Sequence, residues 1–195
     1  MRGRSDPAAA LLAGVPNADA PPRMNVFLVG PMGSGKSAVG RQLAQRLDLD
    51  FIDSDAEIEA RTGVDIAYIF EREGEAGFRS REAEVIDALS RRDRVLVSTG
   101  GGAILDAGTR ERLRARGRVV YLRTSVDQQL ARTRRSNDRP LLNNDDPRGT
   151  LERLFEQRAP LYAEVAEFVV DTDGRKVKAV VDQICHQLGV DGVEP

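Results

Sequence analysis

From Asn25 onward, short runs of apolar and β-branched residues alternate with segments whose apolar positions recur at three- and four-residue spacing. A buried strand reads as an apolar run and a surface helix with a period of about 3.6, so this alternation predicts an α/β fold with a parallel sheet. The predicted strands are Val26–Gly30, Phe51–Ile52, Val95–Ser98, Val119–Leu122 and Phe168–Val170. A helix over Ala38–Leu47 sets Val39, Leu43, Ala44 and Leu47 on one face. Ile66, Ile69 and Phe70, then Val85, Ile86 and Leu89, carry helical spacing through a long region expected to hold two helices broken near Gly74 and Gly77. Ser125 with Gln128 forms a capping-box pattern that should open another helix. Gly117 and Gly189 are expected helix stops.

Two segments break this rhythm. Residues 1–23, rich in Ala and Pro, lack a sustained period and predict a disordered arm ahead of a single domain over 24–190. The apolar stretch Ala8–Ala13 is too short for a secretory signal. Between Thr133 and Arg148 the sequence RRSNDRPLLNNDDPR is polar and turn-rich, which predicts a surface loop, and a loop of this length in a compact domain suits a lid.

Composition narrows the function classes. Formal net charge is −2, which lacks the basic field of a nonspecific nucleic-acid binder, so an anionic ligand must be met by local arginines. No apolar run approaches the roughly 20 residues that span a bilayer. Cys185 is the single cysteine in 195 residues, excluding an internal disulfide and a cysteine-based zinc site and fitting a reducing cytoplasm. Cys185 and the lone His186 fall within the pattern Val177, Val180, Val181, Ile184, Leu188, and are expected to be structural or surface residues of an amphipathic terminal helix.

The chemistry begins at Gly30-Pro31-Met32-Gly33-Ser34-Gly35-Lys36-Ser37, which fits G-x-x-x-x-G-K-S between a predicted strand and a predicted helix. In that context the glycines let backbone N–H groups turn inward, and the helix N-terminus adds its positive end. Lys36 is placed to reach the β- and γ-phosphates of a nucleotide and Ser37 to ligate Mg²⁺. The guanine-reading Asn-Lys-x-Asp motif of GTPases is absent.

Asp53 and Asp55 follow at the end of the second strand. Residues i and i+2 of an extended segment share a side, so both acids are expected to face the phosphate site, the lesser alternative being that Asp53 and Asp55 merely cap the next helix. Thr99-Gly100-Gly101-Gly102 after the third strand either exposes N–H donors to a ligand or is a plain tight turn. Arg79, Arg139 and Arg158 carry forks suited to carboxylate or phosphate.

GPMGSGKS, FIDSD, FRSRE, STGGGA, RPLL and QRAPLY, in this order, closely resemble shikimate kinase, and the resemblance runs from about Met24 to Leu188. It implies a P-loop NTPase of the nucleoside-monophosphate-kinase type, a three-layer sandwich with a five-stranded parallel sheet in the order 2-3-1-4-5. It implies phosphorylation of the 3-hydroxyl of shikimate by ATP with Mg²⁺, in a cytoplasmic monomer serving aromatic amino acid synthesis without nucleic-acid or membrane partners. By resemblance, Gly33, Ser34, Gly35, Lys36, Ser37 and Ala38 surround the ATP phosphates, and Ser37 and Asp53 serve the metal. Lys36, Asp55 and Arg139 are the implied catalytic residues, with Asp55 receiving the attacking hydroxyl's hydrogen bond and Arg139 closing from the lid. Arg79 and Arg158 clamp the shikimate carboxylate, Glu82 orients Arg79, the Gly100, Gly101 and Gly102 loop contacts the acceptor, and Arg132 and Arg175 flank the adenine. Two rivals are a kinase of another polyol acid, such as gluconate, and a noncatalytic ATP-binding module.

Overall fold

The computed structural model of the chain describes residues 24–133 and 146–190. Five parallel strands, β1 (Val26–Val29), β2 (Asp50–Asp53), β3 (Val95–Ser98), β4 (Arg118–Arg123) and β5 (Phe168–Asp171), lie in the order β2-β3-β1-β4-β5. Each strand expected from the sequence is present, and the order is the one the resemblance implied. Seven α-helices accompany them among the described residues: α1 (Lys36–Leu47), α2 (Ser54–Thr62), α3 (Ile66–Ser90), α4 (Ala107–Arg116), α5 (Val126–Thr133), α6 (Pro147–Val165) and α7 (Val177–Leu188).

The central strand explains the three layers. All four residues of β1 are fully buried, and their side chains alternate between two apolar clusters. Val26 and Leu28 pack with Leu96, Val120 and Leu122 beneath α1 and α7. Phe27 and Val29 pack with Val97, Val119 and Tyr121 beneath α3, α4 and α6. A sheet covered on both faces has no solvent side, which is why β1 reads as an unbroken apolar run. Cys185 lies buried in the first cluster while its neighbour His186 is on the exposed side of α7.

Three local features differ from the sequence-based picture. The break in α3 falls at Gly74 alone, where φ is 72° and ψ is −178°, whereas Gly77 continues the helix. The second half of α3, beyond this kink, carries Phe78, Arg79 and Glu82. The helix α2 was anticipated only as something Asp53 or Asp55 could cap and was given no bounds, since only Ser54 and Ile58 of its residues are buried and it offers little period. Finally, α5 runs through Thr133 and α6 starts at Pro147, so the ends of the expected 133–148 lid are helical. Asp146 caps α6 by accepting from the Gly149 N–H at 2.9 Å, and Pro147 stands where a helix needs no N–H donor. Residues 134–145, with Arg139, and the 1–23 arm lie outside the described residues.

Register brings the site together. Asp53 pairs with Ser98, and Leu28 lies between Ser98 and Val120, so β2, β3 and β1 end within a residue of one level while β4 runs on to Arg123 beside β5. The loops leaving these ends converge on the edge where open α/β sheets bind ligands.

Candidate active site

The loop from Gly30 to Ser37 leaves β1 and turns into α1. Gly30 adopts φ 147°, and a Cβ there would sit 2.5 Å from the Leu122 carbonyl oxygen, so the backbones of β1 and β4 approach too closely for any other residue. Gly35, left-handed at φ 91°, precedes α1 with no side-chain cap, and no acid occupies the first turn. The N–H groups at this end, with the positive end of the helix dipole, are therefore uncommitted to side-chain acceptors and suit an anion. The Lys36 ammonium bends over the loop, donating to the Gly30 carbonyl at 2.7 Å and the Pro31 carbonyl at 2.9 Å.

Ser37 Oγ, in the first turn of α1, donates to Asp53 Oδ2 at 2.7 Å. The other oxygen, Oδ1, accepts from the Asp55 N–H at 3.1 Å and caps α2. Asp53 thus performs both roles that its sequence context allowed. The reason given for Asp55 needs correction: β2 ends at Asp53 and Asp55 is in the first turn of α2, not on an extended segment. The strand-to-helix junction still leaves both acids lining the same cleft. Between them Ser54, fully buried, turns away and accepts from the Gly100 N–H at 2.9 Å.

The glycine loop after β3 is more than a tight turn. A Cβ on Gly100 would lie 2.3 Å from Glu82 Oε1 and 2.7 Å from Asp55 Oδ1, and one on Gly102 would lie 2.3 Å from the Arg79 guanidinium. The loop is thus wedged among the charged groups of the site. Arg79 Nη1 donates to Glu82 Oε2 at 2.6 Å, and Arg79 Nη2 to Glu75 Oε1 at 3.1 Å. Burial opposes the charge on Arg79, but these two carboxylates outweigh it and raise its pKa. Glu82 is 2% exposed, and burial pushes its carboxyl up from the ordinary value, against the pull of Arg79 and with a further push from Asp55.

Arg158, on α6, is 6% exposed and lines the same cleft. Its Nε has no hydrogen-bond partner among the described residues, which is costly for a buried guanidinium unless an acceptor arrives. The cleft holds about 880 Å³, within the range of small-molecule sites. One end is lined by Gly33, Gly35, Lys36, Ser37, Ala38 and Arg132; the other by Asp55, Arg79, Glu82, Gly100–Gly102 and Arg158, with Phe70 and Phe78 as apolar walls, their rings 4.8 Å apart.

Two predicted residues are not brought to the cleft wall. The Ser34 side chain is 1% exposed and turned into its own loop, within 3.5 Å of Lys36 Nζ. Arg175 spends its fork on its own turn, donating to the Asp171 carbonyl at 3.1 Å, the Ala179 carbonyl at 2.8 Å and Gln183. Arg132 is at the cleft, but as a brace: it donates to the Gly33 carbonyl and to the Thr172 carbonyl, both at 2.9 Å. Ser54, Phe70, Phe78 and Tyr162 drew no functional assignment from the sequence. Ser54, Phe78 and Tyr162 stood inside quoted motifs, which was the one signal available; Phe70 had none.

A family model described as shikimate kinase matches residues 32–189. A shikimate kinase from Alteromonas mediterranea is 55% identical over 168 residues, covering 86% of this chain and 98% of its own. The solved structure of a shikimate kinase from Acinetobacter baumannii, in complex with shikimate, is similar at a TM-score of 0.84 and 46% identity, covering 88% of this chain and 96% of that one. A gluconokinase from Sinorhizobium meliloti, 19% identical at a TM-score of 0.50 over 86% of this chain and 96% of its own, shares the fold alone.

Proposed function

The chain belongs to the shikimate kinase family, and on that premise we propose that it transfers the γ-phosphoryl group of ATP to the 3-hydroxyl of shikimate. The observation that carries this reading is the single cleft in which the phosphate loop faces an acceptor end built from Asp55, Arg79, Gly100–Gly102 and Arg158.

The shikimate hydroxyl oxygen attacks the γ-phosphorus, the bond to the bridging oxygen of ADP breaks, and the hydroxyl proton passes to the Asp55 carboxylate. Most of the acceleration comes from alignment and from charge neutralisation around the transferring group. Lys36 moves from the Gly30 and Pro31 carbonyls to phosphate oxygens, acceptors of the same kind with more charge. The α1 N–H groups hold the phosphates. Arg79, oriented by Glu82, and Arg158 grip the acceptor carboxylate, for which the unpartnered Arg158 Nε is a ready donor. Gly101 and its neighbours meet the acceptor hydroxyls. Arg132 supports the nucleotide side. Arg139 lies outside the described residues, and the resemblance alone assigns it to the phosphates; the adenine role implied for Arg175 finds no support in its placement.

Magnesium fits the residues present. Ser37 and Asp53 offer hard oxygen donors 2.7 Å apart at the foot of the phosphate loop, and Mg²⁺ is held by one or two such groups with water and phosphate rather than by a protein cage. When bound it supplies neutralisation of the phosphate charge. A cytoplasmic monomer remains part of the proposal, its compartment in keeping with the lone free Cys185; light scattering on the purified chain tests its oligomeric part.

ADP release measured with shikimate, with gluconate and without an acceptor tests the reading. Shikimate-dependent turnover is expected. Turnover with gluconate alone would move the acceptor assignment, and silence with both would indicate a noncatalytic module.

A further inference from the structure

The acceptor end draws on three separate segments: the kinked α3, the glycine loop after β3, and α6. Their mutual spacing must be held to within a fraction of an ångström for a clamp to work. The glycine loop is the softest of the three, because three consecutive glycines impose almost no backbone preference. Its Gly100 N–H is tied to Ser54, and Gly102 is wedged on Arg79. The middle residue is held differently.

We propose that Tyr162 is a positioning residue for the acceptor, tying α6 to the glycine loop and so fixing Arg158 relative to Gly101 and Gly102. Its hydroxyl donates to the Gly101 carbonyl, and its ring, 1% exposed, stacks on Tyr121 at 5.0 Å between centroids with 26° between planes. A peptide unit is planar, so holding the Gly101 carbonyl also sets the direction of the Gly102 N–H. The ideal Cβ of Gly101 is 3.7 Å from Tyr162 Oη and 3.6 Å from both the Gly30 carbonyl oxygen and the Met32 nitrogen. Gly101 therefore stands between α6 and the phosphate loop.

Tyr162 is one helical turn beyond Arg158, on the same face of α6. Pro160 lies between them and deprives the Glu156 carbonyl of its backbone donor, weakening the helix in the stretch that must stay fixed. A side-chain tether at Tyr162 compensates there. Burial raises the phenol pKa well above its ordinary value, so the hydroxyl stays a donor throughout the working pH range.

This inference rests on the acceptor reading above, and its test separates the two. Tyr162→Phe keeps the ring and the stack and removes the hydroxyl, with its bond to the Gly101 carbonyl and its contact with the Arg158 side chain. A single neutral hydrogen bond corresponds to roughly a threefold to tenfold effect, so the KM for shikimate should rise by about that factor. The KM for ATP should stay within about twofold of wild type. Arg158→Lys should be combined with it in a double-mutant cycle; the Phe substitution should have little further effect once the clamp is loosened. An unshifted shikimate KM, an equal rise in both KM values, or additive effects would overturn the tether while an active wild type leaves the shikimate assignment intact. A wild type silent with shikimate overturns the acceptor reading and this inference together.

Discussion

Two neighbouring glycines should fail in different ways. At Gly100 an added Cβ meets Glu82 Oε1 at 2.3 Å and Asp55 Oδ1 at 2.7 Å, whereas ordinary carbon contacts begin near about 3.5 Å, so something must yield by roughly 1 Å. Glu82 is buried and held by Arg79, which leaves Asp55 to share the displacement. A shift of about 1 Å in a reacting group costs on the order of 10²-fold in rate, so Gly100→Ala should lower kcat by about that factor. Overpacking of this kind costs about 1–3 kcal/mol, which for a chain of this size lowers Tm by roughly 2–12 °C. At Gly102 the Cβ instead strikes the Arg79 guanidinium, the far end of a flexible side chain that can yield only by loosening its bonds to Glu82 and Glu75. Gly102→Ala should therefore weaken the carboxylate clamp and raise the shikimate KM about tenfold or more, with a smaller loss of kcat and of Tm. Steady-state kinetics with each substrate varied, together with thermal melts, read all of these quantities. Wild-type kcat in Gly100→Ala, or the same kinetic pattern in both variants, would refute the packing argument.

Further outcomes follow from the same geometry. Lys36→Met should reduce kcat by at least about 10²–10³-fold while circular dichroism stays native, since the bonds that the ammonium donates to the Gly30 and Pro31 carbonyls lie within one loop. Arg158→Ala should raise the shikimate KM far more than the ATP KM; equal changes would count against the clamp. Glu82 gives two opposite pH trends. Its folded pKa is raised, chiefly by burial, so its contribution to stability is complete below the unfolded pKa and is lost as pH rises through the folded value. The orientation of Arg79 requires the ionised form, so the shikimate KM should climb as pH falls through that raised pKa, before ordinary carboxylates protonate. Glu82→Gln should remove this pH-dependent rise, and an unchanged profile in the variant would exclude Glu82 as its source.

Legibility in the sequence depended on how local each feature is. The phosphate loop was readable because its donors are contiguous: Gly33, Gly35, Lys36 and Ser37 make one turn, and the strand and helix around it confirm the context. Asp146-Pro147 carried a helix-start signal, but inside a polar run it read as part of a loop. Arg175 is less legible, since a basic residue whose match rests on a loose pattern donates here to acceptors in its own turn and in α7.

The sequence alone determined the parallel α/β sheet, through apolar runs that only a sheet buried on both faces requires, and the nucleotide loop, through contiguous chemistry. The acceptor end could be reached from sequence only by resemblance, because periodicity says which face of a helix is apolar but not which distant helix it meets. Tertiary structure decided the rest. Packing brings Arg79 and Glu82, from beyond the kink at Gly74, to the cleft, register sets Asp53 beside Ser98, and Gly100 and Gly102 are wedged among the charges. Tyr162 gains its meaning only there, because its hydroxyl acts on a carbonyl 61 positions earlier in the chain that no local rule connects to it.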